Sequence, residues 1–279
     1  MINDIAEISA AGWRAEIDPA RGANLIRARY RDWDALSPES PERANPLLSG
    51  APLLLPANRT AGGSFSFAGK TYALPVNEPS SGAHLHGMLY RQRFEICAHA
   101  RDMIRLEYVN AGEIYPFAFR MRVTYRAGEA GLRADYDIEN LSGGDMPLTF
   151  GLHATFPEPE SFSVPLRARQ PRDARNLPIG GYVPLDEAER RYCVGSPSRG
   201  RAISGYYLSG GDTARIGARL RYQASGFDHW ILYNGGGAQG FLCIEPQLGA
   251  VDALNDPGNC PVIPRGGALR LQTRLFCAP

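Results

Sequence analysis

Two residues able to transfer protons stand at positions where a strand or turn would place a side chain at the edge of a sheet. Glu245 follows the apolar residues 241–244 and comes immediately before Pro246. A buried carboxylate at a strand end is unfavourable unless it is paired or used, and burial raises its pKa toward that of a useful base. His153 stands in a predicted turn among glycine, aromatic residues and proline, and such turns serve function more often than packing. A structural interpretation stays open for both: Glu245 could cap backbone amides, and His153 could pack.

A second histidine-containing segment, residues 83–87, places His84 and His86 one residue apart. On a strand both side chains would point the same way, which is the geometry of a metal-binding H-x-H pair. Such a site would need a carboxylate a few residues further on, and the next acid is Glu95. The segment is compatible with a metal site, a structural histidine pair or a polar contact to a substrate, and we favour the last.

The glycine-rich residues 235–240 match the pattern G-x-G-x-x-G but do not predict a nucleotide site. They open into another strand, so the helix N-terminus that binds a pyrophosphate is missing. We interpret them as a hairpin loop. The sequence holds no P-loop, no G-x-S-x-G motif and no cysteine–histidine nucleophile pair. We therefore expect no cofactor and no metal centre.

Alternation of apolar and polar residues predicts the strands that must position these groups. It extends through residues 117–126, 131–140 and 269–275, and each of these runs has the pattern of a strand with one buried face. Residues 64–74 predict a hairpin with Gly69 in its turn.

The overall pattern predicts an all-β protein, a large antiparallel β-sandwich or barrel. The 31 glycines and 22 prolines interrupt short strands at frequent intervals, which is typical of these folds. Helical spacing is nearly absent, although residues 184–192 could hold one short turn. Because composition does not shift along the chain, we expect one domain over residues 1–279. The irregular residues 157–205 are predicted to form a wall of the active site.

Composition favours a cytoplasmic protein that acts on small molecules. Thirty basic and 29 acidic residues give a net charge of +1, so no global field favours nucleic acid or an anionic membrane. The five cysteines are dispersed without a C-x-x-C pair, which predicts reduced thiols. The first residues do not have the pattern of a signal peptide, and no apolar run is long enough to span a membrane. We expect a monomer or a homodimer.

Taken in chain order, four sequence blocks resemble the aldose 1-epimerase (galactose mutarotase) family. The first begins with Asn58-Arg59 and continues through the hairpin to Asn77, and the second is Leu85-His86-Gly87. The third is residues 151–156, where His153-Ala154-Thr155-Phe156 stands in place of the family's H-P-Y-F. The fourth is Glu245-Pro246-Gln247, followed by residues 252–255. Residues 263–267 also resemble the family's closing Pro-Gly turn, so the resemblance extends from about residue 52 to the C-terminus and covers most of the chain.

The resemblance implies a large antiparallel β-sandwich, the supersandwich of that family, and a sugar mutarotase. It assigns Glu245 as the general base and His153 as the general acid. It also implies that His86 and Arg59 bind and orient the sugar. Ser204, ahead of two tyrosines, is the match to a position where the family usually has a carboxylate or amide for sugar hydroxyls.

Mutarotation opens a cyclic hemiacetal, and one base and one acid on opposite sides of the C1–O5 unit are sufficient for it. Ordinary pKa values are ~4.3 for glutamate and ~6.5 for histidine, so both need to shift toward neutrality. We expect burial to raise the pKa of Glu245, and the nearby carboxylate to raise that of His153. The aromatic candidates for stacking on the sugar are Phe156, Trp230, Tyr72 and Tyr90.

Two other functions are compatible with the sequence. A hexose-phosphate epimerase would need arginines at the rim of the site, and Arg91, Arg93 and Arg120 are candidates. A non-catalytic sugar-binding protein is the alternative from another class, and the altered H-A-T-F segment is the feature that supports it.

Overall fold

Antiparallel β-strands dominate the computed structural model, which describes residues 5–38, 45–256 and 258–278. Its strands are, in chain order, β1 (Ala6–Ala10), β2 (Trp13–Asp18), β3 (Asn24–Tyr30), β4 (Trp33–Asp34), β5 (Leu53–Leu54), β6 (Arg59–Ala61), β7 (Ser64–Phe67), β8 (Lys70–Ala73), β9 (Ala83–Leu85), β10 (Glu95–Ala100), β11 (Met103–Asn110), β12 (Phe119–Gly128), β13 (Gly131–Asn140), β14 (Met146–Pro147), β15 (Phe150–Leu152), β16 (Thr155–Pro157), β17 (Phe162–Ser163), β18 (Leu166–Arg169), β19 (Ser204–Ser209), β20 (Thr213–Ile216), β21 (Leu220–Ser225), β22 (His229–Tyr233), β23 (Phe241–Leu248), β24 (Val262–Ile263) and β25 (Ala268–Cys277). The helix α1 spans Glu187–Val194, and short 3-10 turns lie at Pro19–Arg21, Pro46–Leu48, Leu89–Arg91 and Ala253–Asn255.

Two large sheets form the body of the described chain. One contains eight strands in the order β10-β11-β12-β13-β25-β21-β20-β17. The other contains seven, in the order β18-β19-β22-β23-β15-β5, with β16 also paired to β23. The order β1-β2-β3-β4 makes a smaller sheet, and β6-β9, β7-β8 and β14-β24 form two-stranded ladders.

The two large sheets pack face to face through aromatic side chains. The ring of Tyr136 on β13 lies 5.6 Å from that of Phe150 on β15. Tyr222 on β21 lies 5.4 Å from Phe156 on β16 and 6.2 Å from Trp230 on β22. All five side chains are buried in one continuous hydrophobic core. The predicted antiparallel β-sandwich is therefore confirmed.

The alternation of apolar and polar residues predicted the positions of several strands correctly. β12 and β13 coincide closely with the predicted runs, and their alternate side chains are buried as expected. The hairpin β7-β8 pairs Ser64 with Ala73 and Phe67 with Lys70. The glycine-rich residues 235–240 connect the antiparallel strands β22 and β23, as the hairpin interpretation requires. α1 is longer than the predicted turn and is fixed at its start by a capping box from Asp186 and Glu189.

No helix in the described ranges is both long and apolar enough to cross a lipid bilayer. None of the five cysteines, all of which lie in the described ranges, forms a disulfide.

A tight backbone contact fixes the segment after β9. Gly87 has a φ of 64° and forms a parallel bridge with Leu55, next to β5. A Cβ atom built on Gly87 would lie 1.8 Å from the carbonyl oxygen of Leu55. Only glycine fits here, because the positive φ and the approaching carbonyl both exclude a side chain. This contact positions His86, the preceding residue.

We expect Gly87→Ala to destabilise the fold far more than Gly69→Ala, its matched control. Gly69 also has a positive φ, of 75°, but a Cβ there would meet nothing within 4 Å. The control should therefore lose only the left-handed backbone term of about 1–2 kcal/mol. Gly87→Ala should lose about 1–3 kcal/mol more of the free energy of unfolding, which is the cost typical of overpacked sites. Chemical denaturation of both variants measures the difference, and equal losses would contradict the close approach.

Candidate active site

A cavity of about 330 Å³ opens beside β22 and β23. This volume is at the lower end of the range for small-molecule sites, about 300–1,000 Å³, and suits a single sugar ring. Glu245, His153, His86 and Arg59 all line it. The structure thus brings together the four site residues that the sequence predicted.

Glu245 and His153 face each other because of strand register. β23 pairs with β15 at Gly151 and with β16 at Thr155. The same register carried across the interruption between β15 and β16 places His153 opposite Glu245. Nε2 of His153 lies 3.5 Å from Oε1 of Glu245, and both residues are buried. The arrangement allows proton exchange within the pair or through a bound hydroxyl.

The segment around His153 is held by its main chain. The amide of His153 donates to the carbonyl of Pro52 at 2.9 Å, and Ile244 donates to the carbonyl of Ala154 at 3.0 Å. The amide of Thr155 donates to Gly50 at 2.9 Å. These bonds support the segment without the proline and tyrosine of the family's H-P-Y-F sequence.

Burial shifts the pKa values of the two groups in opposite directions. Burial raises the pKa of Glu245 to about 8, against an opposing effect of the positive charge on Arg59. Burial lowers the pKa of His153 to about 4. The predicted rise for Glu245 is confirmed. The predicted rise for His153 is wrong, because the loss of water dominates and only a main-chain hydrogen bond opposes it. Between these values the pair holds one proton.

His86 lies against His153 at the edge of the cavity. The two rings are 5.4 Å apart and nearly perpendicular. Nδ1 of His86 and Nδ1 of His153 are buried without a hydrogen-bond partner in the described chain. Burial, together with the charges of neighbouring groups, holds the pKa of His86 well below its ordinary value. His86 therefore offers a neutral imidazole to a ligand.

The prediction that His84 and His86 point the same way is wrong. β9 ends at Leu85, and His86 takes a left-handed conformation with a φ of 63°. Nδ1 of His84 contacts the carbonyl oxygen of Pro75 at 2.6 Å instead, and His84 does not line the cavity. Neither histidine belongs to the cluster of possible metal ligands found among the described residues.

Arg59 is fixed by a carboxylate and a phenol. Its Nε and Nη2 donate to the two carboxylate oxygens of Glu78, both at 2.6 Å. Its Nη1 donates to the hydroxyl of Tyr206 at 2.7 Å. Burial alone would lower the pKa of Arg59, but the contacts with Glu78 and Tyr206 outweigh burial and raise it. Arg59 remains charged, and its position is set before any ligand arrives.

The opposite wall of the cavity comes from the irregular residues 157–205 and from β19. The guanidinium of Arg172 lies 4.9 Å from the ring centre of Tyr206. It donates to Oγ of Ser204 at 2.8 Å and to the carbonyl of the same residue at 3.0 Å. Asn176 also lines the cavity. Part of the region predicted to form a wall of the site therefore does line the cavity. Ser204 also lines it, as its position in the family motif indicates.

Two groups of residues that were predicted to contact the substrate, four aromatic residues and three arginines, do not line the cavity. Of the aromatic candidates, Phe156 and Trp230 belong to the core between the sheets. Tyr72 packs on Phe65 and Phe117, and Tyr90 bonds to its neighbour Arg91. None of the four lines the cavity, where Tyr206 and Tyr233 stand instead. The prediction failed because period-two alternation in a sandwich directs most aromatic side chains into the core.

The three predicted rim arginines do not line the cavity either. Arg120 lies on β12 in the other sheet, where it pairs with Glu107 and Glu139. Arg91 ends a 3-10 turn. Arg172 is the arginine at the rim that the sequence analysis missed.

Glu78 was also missed, although a signal for it exists. It stands immediately before Pro79, as Glu245 stands before Pro246. Glu158 also stands before a proline but does not line the cavity, so this signal alone does not identify a cavity carboxylate. The expectation that Glu245 ends its strand is wrong, because β23 continues through it to Leu248. Tyr206 and Arg172 carry no comparable signal, because neither the alternation pattern nor spacing separates them from their neighbours.

His153, Cys243 and Glu245 are the described residues whose ligand atoms cluster as a metal site would require. Each offers one such atom, and the three atoms lie within 4.8 Å of one another.

By sequence, part of the chain is similar to a known protein. A segment of 135 residues is 29% identical to the uncharacterised protein YihR of Escherichia coli K12, over 47% of this chain and 44% of that protein. The match thus spans less than half the length of that relative.

Solved structures share the architecture. A galactose mutarotase-like protein of Clostridium acetobutylicum superimposes with a TM-score of 0.89 at 20% identity, over 98% of this chain and 94% of that one. An aldose epimerase homologue of C. elegans gives a TM-score of 0.81 at 15% identity, over 98% of both chains. At these identities the likeness shows the fold. The sequence model of the aldose 1-epimerase family matches residues 19–256, so the chain belongs to the aldose 1-epimerase family.

Proposed function

We propose that the protein is a mutarotase that interconverts the α and β anomers of a free aldose. The observation that supports this most directly is the contact of 3.5 Å between Nε2 of His153 and Oε1 of Glu245 at the cavity floor. Ring opening of a hemiacetal needs one proton acceptor and one proton donor within hydrogen-bond reach of its two reacting oxygens, and a single cavity that holds both groups can supply them. Family membership supports the same reaction.

In the proposed mechanism Glu245 takes the proton of the anomeric hydroxyl while His153 donates a proton to the ring oxygen. The C1–O5 bond breaks with its electron pair on O5, and the C1–O1 bond becomes a carbonyl. Rotation about C1–C2 presents the other carbonyl face, and ring closure reverses both proton transfers. Each positioned group can contribute about 10²–10⁴-fold to the rate.

The pair holds one proton in every state of this cycle. The ionised pair starts ring opening, and the neutral pair remains while the sugar is open. Because burial disfavours the charged forms, the neutral pair is favoured in the empty cavity. Sugar hydroxyls bonded to the carboxylate would replace lost water and restore the ionised form.

His86 and Arg59 are proposed to bind and orient the sugar. The neutral imidazole of His86 can donate to or accept from a hydroxyl, and the fixed guanidinium of Arg59 presents donors to ring oxygens. We also propose a cytoplasmic location, a small-molecule sugar as substrate, and a monomer or homodimer, without nucleic acid or membrane as partners.

We expect Glu245→Gln and His153→Ala each to abolish the acceleration of anomer exchange. Each removes one of the two proton-transfer groups, so the loss should be about 10²–10⁴-fold. The measurement is NMR exchange spectroscopy between anomers, with sugar binding followed on the same samples.

The matched controls are Glu95→Gln and His99→Ala, which change the same residue types at exposed positions on β10. Both should keep full activity. Full activity in either cavity variant would refute the assigned roles. Binding without exchange in the unmodified protein would instead indicate a non-catalytic sugar-binding protein.

The rate should depend on pH as a bell. Above about pH 8 the pair loses its last proton, since burial raises the pKa of Glu245 to about 8, and no acid remains. Below about pH 4 it gains a second proton, since the pKa of His153 lies at about 4, and no base remains. The dependence of kcat/KM on pH, after subtraction of the spontaneous rate, reports the free protein. A rate that stays constant through pH 9 would contradict this bell-shaped dependence.

A hexose-phosphate epimerase is the second candidate, and Arg172 is the observation that favours it. Within the described ranges Arg172 has no carboxylate partner, whereas Arg59 is neutralised by Glu78. A cation at the rim could bind a phosphate on the sugar.

A panel of free aldoses and their 6-phosphates decides between the two substrates. For a free-sugar enzyme, Arg172→Gln should change exchange of the free aldose by less than about 10-fold, since a rim hydrogen bond contributes about 1 kcal/mol. A preference for the 6-phosphate that Arg172→Gln removes would support the phosphosugar reaction. The matched control is Arg91→Gln, outside the cavity.

A further inference from the structure

A buried thiol lies directly behind the proton-transfer pair. Cys243 and Glu245 are two residues apart on β23, so both side chains point to the same face of the strand. Cys243 is fully buried, and its Sγ lies 3.5 Å from Oγ1 of Thr155, its register partner on β16. The thiol is therefore fixed beneath the cavity floor.

Three ligand atoms of different chemistry converge at this point. Nε2 of His153 and Oε1 of Glu245 lie 3.5 Å apart, and the ligand atoms of His153, Glu245 and Cys243 all lie within 4.8 Å of one another. A tetrahedral zinc ion with bonds of about 2.0–2.3 Å separates its ligand atoms by about 3.3–3.6 Å. The imidazole and carboxyl groups already have that separation, and the thiol needs a movement of about 1 Å.

The donor set selects the kind of ion. One thiolate, one imidazole and one carboxylate suit borderline-soft ions such as Zn²⁺, Cd²⁺ and Co²⁺, whereas Mg²⁺ and Ca²⁺ prefer oxygen ligands alone. Three protein ligands leave one tetrahedral position open toward the cavity, where water can bind. His153 and Glu245 line the cavity, so an ion from solution has a path to them.

We propose that His153, Cys243 and Glu245 form an inhibitory site for Zn²⁺ and ions of similar chemistry. The ion occupies the two groups that exchange protons with the sugar, and its binding releases two protons to solvent, one from the thiol and the one that the pair shares. It binds as an inhibitor from solution, since the acid–base reaction is complete with Glu245 and His153 alone. Ion and sugar compete for the same floor of the cavity.

The first test compares the anomer-exchange rate with and without ZnCl₂ or CdCl₂, each variant measured against its own metal-free rate. Cys243→Ala and Cys243→Ser both keep the proton-transfer pair. They should need at least about 10-fold more metal for the same inhibition, since even groups that only orient a metal ligand change affinity by about 10–100-fold. Cys97→Ser, at an exposed thiol, is the matched control and should be inhibited like the unmodified protein.

Further controls separate this site from general metal effects. Added EDTA should restore the rate, MgCl₂ should not inhibit, and a higher sugar concentration should protect. Equal zinc sensitivity of the Cys243 variants and the unmodified protein would overturn the proposal. So would inhibition that sugar does not relieve.

A spectroscopic test does not depend on catalysis. Cobalt(II) added to the protein should give a thiolate-to-cobalt absorption band in the near ultraviolet. The band should persist in Cys97→Ser, weaken in His153→Ala and vanish in Cys243→Ala. Absence of the band, or its survival in Cys243→Ala, would refute the metal site even if the protein proved to have no mutarotase activity.

Discussion

Glu245 Oε1 and His153 Nε2 lie 3.5 Å apart where little water reaches either group, and a net charge on either one is costly there. The same loss of water moves the two pKa values apart and leaves one shared proton over a wide pH range. The charged groups around the cavity do little to reduce this cost. Arg59, the nearest fixed cation, has its charge balanced by Glu78, so it stabilises a carboxylate at Glu245 only weakly. Under the proposed function, a bound sugar would be the main source of polar contacts for the pair.

The sequence predicted the parts of this arrangement that depend on alternation and on runs of apolar residues. Period-two patterns located β12 and β13, because a strand with one buried face must alternate. The position of Glu245 before a proline at the end of an apolar run indicated a buried carboxylate. His153 was placed by resemblance, and strand register then explains why it meets Glu245.

The parts that the sequence did not predict depend on distances between segments far apart in the chain. Arg172 reaches the cavity from an irregular segment and Tyr206 from the short strand β19, and in neither segment does a clear alternation assign a direction to the side chain. The fall in the pKa of His153 comes from burial, and only the depth of the site decides this. His86 has a left-handed backbone conformation, so it does not continue β9 as an H-x-H strand would require.

β23 is buried on both faces, and this has a consequence for how the protein can change. Leu242 and Ile244 pack into the hydrophobic core, while Glu245 points into the cavity from the same strand. Close-packed interiors transmit small volume changes, and a displacement of about 1 Å at a reacting group can cost about 10²-fold in rate. A substitution in the interior behind this strand should therefore change the thermal stability of the protein and the position of the Glu245 carboxyl group together.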